Sequence, residues 1–205
     1  MERRAKTEYP IHELLARPRA IHTFSDQPVE RKYLLMLFEA ARWTPSSGGE
    51  QPWSFLVARK QEDKETYERL RSCLTGTDDR WAPAAPVLAL SVARMTFADN
   101  GAPNLHAVHD VGAATMSLRL QAAALRLLVH QLADFDRAGA RALFRIPAGF
   151  EPVAALAIGY PAESPQHATE TLREALLAPR TPDRIDEFVF TGVWGRRGSA
   201  LRKPA

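Results

Sequence analysis

The chain has 205 residues, of which 45% are hydrophobic and 25% are charged, so it is long enough to bury a core and has the composition of an ordinary globular protein. Its formal net charge is only +3, and no aromatic-rich element accompanies the basic residues at its two ends, which argues against nucleic-acid binding. The single cysteine, Cys73, excludes an internal disulfide and a cysteine-based zinc cage, and it fits the reducing cytoplasm.

The longest apolar run, residues 111–129, is interrupted by Arg119, Gln121 and Arg126. These side chains would be costly in lipid, so the run predicts a buried helix and no membrane span. The first residues lack the charged-then-apolar pattern of a signal peptide. We therefore expect a cytoplasmic protein that binds neither membrane nor nucleic acid.

The first half of the chain predicts two helices, a loop, a strand and a third helix. The segment YPIHELLAR predicts a helix that starts near Pro10 and is ended by Pro18, because a residue before proline avoids the α region. A second helix, from Val29 to about Trp43, has apolar residues at helical spacing. The loop WTPSSGGEQPW then enters the strand WSFLVAR, and the helix KETYERLRSCL follows.

The second half predicts two buried strands around a long central helix. PVLALSVA reads as a buried strand, and an alanine-rich helix from roughly Leu105 to Leu128 belongs in the core or at a subunit interface. FDRAGARALF predicts a short helix, PVAALAIGYP a third buried strand, and residues 170–177 another helix. Together these elements indicate an α+β domain over residues 11–195, with a tail at 1–10 and a basic tail at 196–205.

Six motifs, in this order and at this spacing, resemble those of the nitroreductase family of flavin mononucleotide (FMN) enzymes. They are RPRAIHTF with DQPV, PSSGGEQPW, HDVGAA, VHQLADFD, IPAGFEPVAALAIGYP and PRTP. The resemblance implies a nitroreductase-like α+β fold, in which a central mixed or antiparallel sheet is flanked by helices. It also implies an intertwined homodimer with two flavin sites at the subunit interface.

The activity that the resemblance implies is ping-pong electron transfer. NADH or NADPH reduces FMN and leaves, and a nitro compound, a quinone or another small acceptor is then reduced in the same pocket. The flavin carries the chemistry, so no catalytic side chain is expected. The sequence has no G-x-G-x-x-G motif, and it leaves both the acceptor and the choice between NADH and NADPH open.

By the same resemblance, four segments would bind FMN. The first holds the phosphate and the polar edge of the ring, and the second reaches the flavin of the other subunit. The third passes its backbone N–H groups close to the flavin N5 and O4 atoms, and the fourth supplies an arginine to the phosphate. The residues are, in that order, Arg17, Pro18, Arg19, Ala20 and His22; Pro45, Ser46, Ser47 and Gly49; Gln131, Leu132, Ala133 and Asp134; and Arg180.

Five of these positions depart from the family pattern. Pro18, Ala20 and His22 replace an arginine, a serine and a basic residue, Gly49 replaces an asparagine, and Asp134 replaces a glycine. The Gly48–Gly49 pair is expected to add backbone freedom to its loop. Hydrogen bonds to charged groups contribute roughly 1.5–3 kcal/mol each. A second interpretation therefore stays open, in which a dimer of this fold binds flavin weakly and serves as a ligand-binding or interaction module.

A third interpretation rests on His106 and His109, which lie one helical turn apart beside Asp110. Two histidines and an aspartate suit a metal-dependent hydrolase. The same aspartate also suits the N-terminus of a helix, where a negative charge is favourable. Because no further histidine and aspartate at suitable spacing complete a metal site, we expect no bound metal.

Overall fold

A four-stranded antiparallel sheet forms the centre of this computed structural model, which describes residues 7–16, 23–76, 82–162 and 181–196. The strands are β1, Trp53–Arg59; β2, Val87–Arg94; β3, Leu128–Leu132; and β4, Phe150–Gly159. Their order across the sheet is β1-β2-β4-β3, so β1 and β3 are the two edges.

The described ranges contain six α-helices, and the second to the fifth of these pack against the sheet. They are α1, Glu13–Ala16; α2, Arg31–Arg42; α3, Lys64–Ser72; α4, Ala107–Ala124; α5, Arg137–Leu143; and α6, Ile185–Phe188. Aspartates begin two of them: the Asp63 carboxylate accepts the Thr66 N–H of α3, and Asp136 accepts the Gly139 N–H of α5. None of the helices in these ranges has the length and apolarity needed to cross a membrane.

Both faces of strand β2 are buried, which explains its unbroken apolar run. Successive side chains of a strand point to opposite faces. Val87 and Ala89 therefore join the core formed with α2 and α4, whereas Leu88 and Leu90 join the core formed with α3 and α5. Helix α4 lies deep in the first of these cores, where Leu118 is fully buried.

The elements agree with the sequence interpretation except at two places. Helix α1 begins at Glu13 and not near Pro10, so it is a single turn. The long helix, expected to reach about Leu128, ends at Ala124, and residues 128–132 form the edge strand β3. The sheet, expected to be mixed or antiparallel, is antiparallel in the described residues. The helix expected at 170–177 lies outside the described residues, and the domain boundaries stay predictions.

Arg126 explains why the sequence does not mark the end of α4. It has φ of 59°, while the Leu127 N–H bonds the Ala122 carbonyl and the Arg126 N–H bonds the Ala123 carbonyl. This is the pattern of a Schellman motif, whose left-handed position is usually glycine. Because the residue at this position is an arginine, the sequence lacks the glycine that usually marks the end of a helix.

Replacing Arg126 with glycine is expected to raise the free energy of unfolding by about 0.5–1 kcal/mol. Left-handed backbone costs a residue with a Cβ roughly 1–2 kcal/mol, and the greater freedom of glycine in the unfolded chain offsets part of that gain. Urea unfolding measures the difference. Arg126→Ala removes the same exposed side chain but keeps the left-handed strain, so an equal gain from alanine would contradict the backbone explanation.

Candidate functional site

The loop between α2 and β1 is a closed turn, which we call the Ser46–Gln51 turn. The Ser46 carbonyl accepts the Gly49 N–H at 3.0 Å, and the Ser46 hydroxyl accepts the Gln51 N–H at 2.9 Å. Gly48, Gly49 and Gln51 have φ of 63°, 71° and 47°. Two of these three left-handed positions are glycine because glycine adopts them without strain. The glycine pair thus allows this hydrogen-bonded shape, and the expectation that it adds backbone freedom stays a prediction.

Two carboxylates attach the turn to its neighbours. Asp110, in the first turn of α4, accepts the Ser47 N–H on Oδ2 at 3.0 Å. The Glu50 carboxylate accepts Arg94 Nη2 at 2.6 Å and the Ala98 N–H at 3.0 Å. The turn is therefore tied to the central helix on one side and to the segment after β2 on the other.

Sequence reasoning missed the positioning contacts of Asp110 and Glu50. Asp110 belongs to a recognised motif, but its partner in the chain lies 63 residues away, and local pattern suggested only a helix cap or a metal ligand. Glu50 and Arg94 are separated by 44 residues, and no sequence signal joins them. Only the folded chain shows that both carboxylates serve the same turn.

The other described part of the predicted site lies at the end of β3. Gln131 is exposed, but the Leu132 side chain is fully buried in the core, so only the backbone of Leu132 can face a ligand. Ala133 and Asp134 follow and are exposed. The Asp134 carboxylate lies against Gly76, with Oδ2 3.7 Å from the place of a Cβ on that glycine.

Asp134 is compatible with its position in the chain, although the family pattern has a glycine there. It is not among the described residues with positive φ, so its backbone needs no glycine. Its carbonyl accepts the Thr75 N–H at 3.2 Å, which ties the end of β3 to the segment after α3. The aspartate therefore introduces a charge at this position without backbone strain.

The two described halves of the predicted site do not meet within one chain. Pro45, Ser46, Ser47 and Gly49 precede β1, whereas residues 131–134 belong to β3 and its exit. These are opposite edges of the sheet, three strand intervals apart. At about 4.8 Å an interval, the separation is on the order of 14 Å.

The remaining predicted site residues lie outside the part of the chain that the structure describes. The set comprises Arg17, Pro18, Arg19, Ala20, His22 and Arg180. The phosphate-binding segments therefore stay predictions, as does the assignment of the described segments to a flavin.

The histidines near Asp110 do not form a cluster of metal ligands. The His109 side chain is 82% exposed, and its Nδ1 atom lies 3.3 Å from Asp110 Oδ1. Across residues 7–16, 23–76, 82–162 and 181–196, no three His, Cys, Asp or Glu side chains come together as metal ligands would. This geometry gives the metal-hydrolase interpretation no support.

Known proteins resemble the chain in sequence. The model of the nitroreductase family matches residues 15–84. Two archaeal proteins, from Methanothermobacter thermautotrophicus and Archaeoglobus fulgidus, are both named "Putative NADH dehydrogenase/NAD(P)H nitroreductase". Each is 28% identical to this chain, and the alignments cover 76% and 70% of it and 79% and 80% of the two relatives.

Solved structures resemble the chain in fold. A protein described as an oxidoreductase containing FMN superposes with a TM-score of 0.85 at 28% identity, over 93% of this chain and 96% of its own. A nitroreductase family protein from Clostridium difficile 630 superposes with a TM-score of 0.64 at 23% identity, over 85% and 93%. Its sequence over residues 15–84 resembles the nitroreductase family, and its fold over nearly the whole chain resembles that of an oxidoreductase containing FMN.

Proposed function

We propose that the protein is an FMN-dependent NAD(P)H oxidoreductase that passes hydride equivalents to a nitro compound, a quinone or another small acceptor. The observation that carries this proposal is the likeness, over 93% of the chain, to an oxidoreductase containing FMN. The flavin supplies the redox chemistry when it is bound, and the residues of this chain bind and orient it. The only cysteine, Cys73, is buried and unpaired, which supports a cytoplasmic protein.

The described residues include hydrogen-bond donors that suit a flavin. The Ser47 N–H donates to the Asp110 carboxylate, whereas the Ser47 hydroxyl has no hydrogen-bond partner among the described residues. Because β3 is an edge of the described sheet, the N–H groups on its outer side are not used by another strand there. These N–H groups suit the polar edge of the flavin ring, and the Ser46–Gln51 turn suits a position beside the ring.

We propose that two copies of the chain share each site. A shared site would unite the two segments that lie on opposite edges of one sheet: the Ser46–Gln51 turn of one protomer would meet the end of β3 of its partner. Exposed apolar side chains support this arrangement. Leu105, just before α4, is 89% exposed, and Trp194 in the C-terminal segment is 92% exposed. Burial of such surface against a second copy is favourable by about 25 cal/mol per Å².

Anaerobic titration tests the oxidoreductase proposal. The purified protein is expected to be yellow, or to become yellow with added FMN, and to bleach when NADH or NADPH is added without oxygen. A nitro compound or a quinone should then restore the colour. Absence of bleaching with either nucleotide would contradict the proposal. A colourless protein that excess FMN does not reconstitute would instead support the ligand-binding module.

A further inference from the structure

Asp110 is a buried charged residue beside an exposed turn. Its side chain is only 6% exposed, and its Oδ2 atom accepts the Ser47 N–H at 3.0 Å. The helix that carries it is anchored in the core, since Val111 and Leu118 are both fully buried. Asp110 therefore offers the turn a partner whose position is fixed by the core.

Side-chain packing does not hold the glycine pair of the turn. Gly48 and Gly49 are exposed, and nothing lies within 4 Å of the place that a Cβ would occupy on either residue. Hydrogen bonds inside the turn set its shape but not its direction relative to the sheet. The direction is set by the contacts that leave the turn: the Ser47 N–H donates to the Asp110 carboxylate, and the Glu50 carboxylate accepts Arg94 Nη2 and the Ala98 N–H.

We propose that Asp110 is a positioning residue for the cofactor site: its carboxylate fixes the direction in which the Ser46–Gln51 turn presents the Ser47 hydroxyl and the Gly48 N–H to FMN. This inference rests on the proposed function. It also assigns different roles to the N–H and the hydroxyl of Ser47. Because Asp110 occupies the Ser47 N–H, that group is not a donor to the cofactor, and the hydroxyl is the group that Ser47 contributes.

Two substitutions at Asp110 and one control test the proposal by FMN binding. Asp110→Ala removes the acceptor and is expected to raise the Kd for FMN about tenfold. Asp110→Asn keeps an oxygen that can accept the Ser47 N–H, so its Kd is expected to lie between those of the wild type and the alanine variant. Ser117→Ala is the control, because the Ser117 hydroxyl joins the same helix to Thr44 at 2.8 Å, beside the same loop. Its Kd is expected to match the wild type.

A second measurement does not depend on the cofactor. In flavin-free protein, the Ser47 amide hydrogen is expected to exchange with solvent about tenfold faster in Asp110→Ala than in the wild type or in Ser117→Ala. Unchanged Ser47 exchange, or unchanged FMN binding, in Asp110→Ala would overturn the positioning role. A uniform rise in exchange at all amides would do so too, because it would indicate general destabilisation.

Different results would overturn the proposed function and the positioning role of Asp110. If the wild type binds no FMN at any concentration, the proposed function is wrong. The Ser47 exchange rate would still report whether Asp110 fixes the turn, and a fixed turn without FMN binding would overturn its assignment to a cofactor site.

Discussion

Gly49→Val is expected to raise the Kd for FMN by about ten- to a hundredfold, which corresponds to about 1.4–2.8 kcal/mol. Gly49 has φ of 71°, and a β-branched residue with such a φ is strongly disfavoured. Backbone strain of this kind costs roughly 1–3 kcal/mol. Since nothing lies within 4 Å of the place of its Cβ, the valine would not clash, and the turn would relieve the strain by changing shape. Fluorescence titration of FMN measures the change in Kd.

Gly149→Val is the matched control for this substitution. Gly149 also has a left-handed backbone, with φ of 83°, and nothing within 4 Å of the place of its Cβ, but it precedes β4 and lies outside the predicted site. Both variants should lose similar stability in urea, and only Gly49→Val should lose FMN affinity. Equal losses of FMN affinity would show that the effect is general strain and not the shape of the Ser46–Gln51 turn.

Ser91→Ala is expected to lower the free energy of unfolding by about 1–3 kcal/mol. Ser91 is fully buried in β2, and its hydroxyl donates to the Ala154 carbonyl at 2.9 Å and accepts the Ala154 N–H at 3.1 Å. The pairing of β2 with β4 shifts between Ser91 and Val92, where Pro152 in β4 has no N–H to offer. Alanine would leave the Ala154 N–H buried and unpaired, as urea unfolding would show.

Ser54→Ala provides the comparison for this stability change. Ser54 is an exposed serine of the edge strand β1, so its replacement is expected to change the unfolding free energy by no more than about 0.5 kcal/mol. If the two alanine variants were equally stable, the Ser91 hydroxyl would not be the group that satisfies the irregular pairing.

The elements with a clear local pattern could be predicted from the sequence. WSFLVAR is β1 from its first residue to its last, and the unbroken apolar run of β2 indicated a strand buried on both faces. The α+β class and the nitroreductase resemblance followed from the order of such segments and motifs. Local pattern was sufficient because each of these elements carries its own hydrophobic periodicity.

Local pattern was insufficient where long-range contacts decide the conformation. Arg126 holds a left-handed position that glycine usually marks, so the end of α4 and the start of β3 carried no recognisable signal. For Gly48 and Gly49, a flexible linker and a fixed left-handed turn have the same composition. Hydrogen bonds to Ser46 and carboxylates from distant segments select the fixed turn.

The sequence by itself determined the resemblance to the nitroreductase family, the strands and helices with strong periodicity, and the residues expected to approach a flavin. Only the tertiary structure decided that Asp110 and Glu50 hold the turn before β1, and that this turn and the end of β3 lie on opposite edges of one sheet. The physical reason is the same in both cases. Motifs report what a short segment prefers, whereas the position of one segment relative to another depends on strand order and on hydrogen bonds between residues 44 to 63 positions apart.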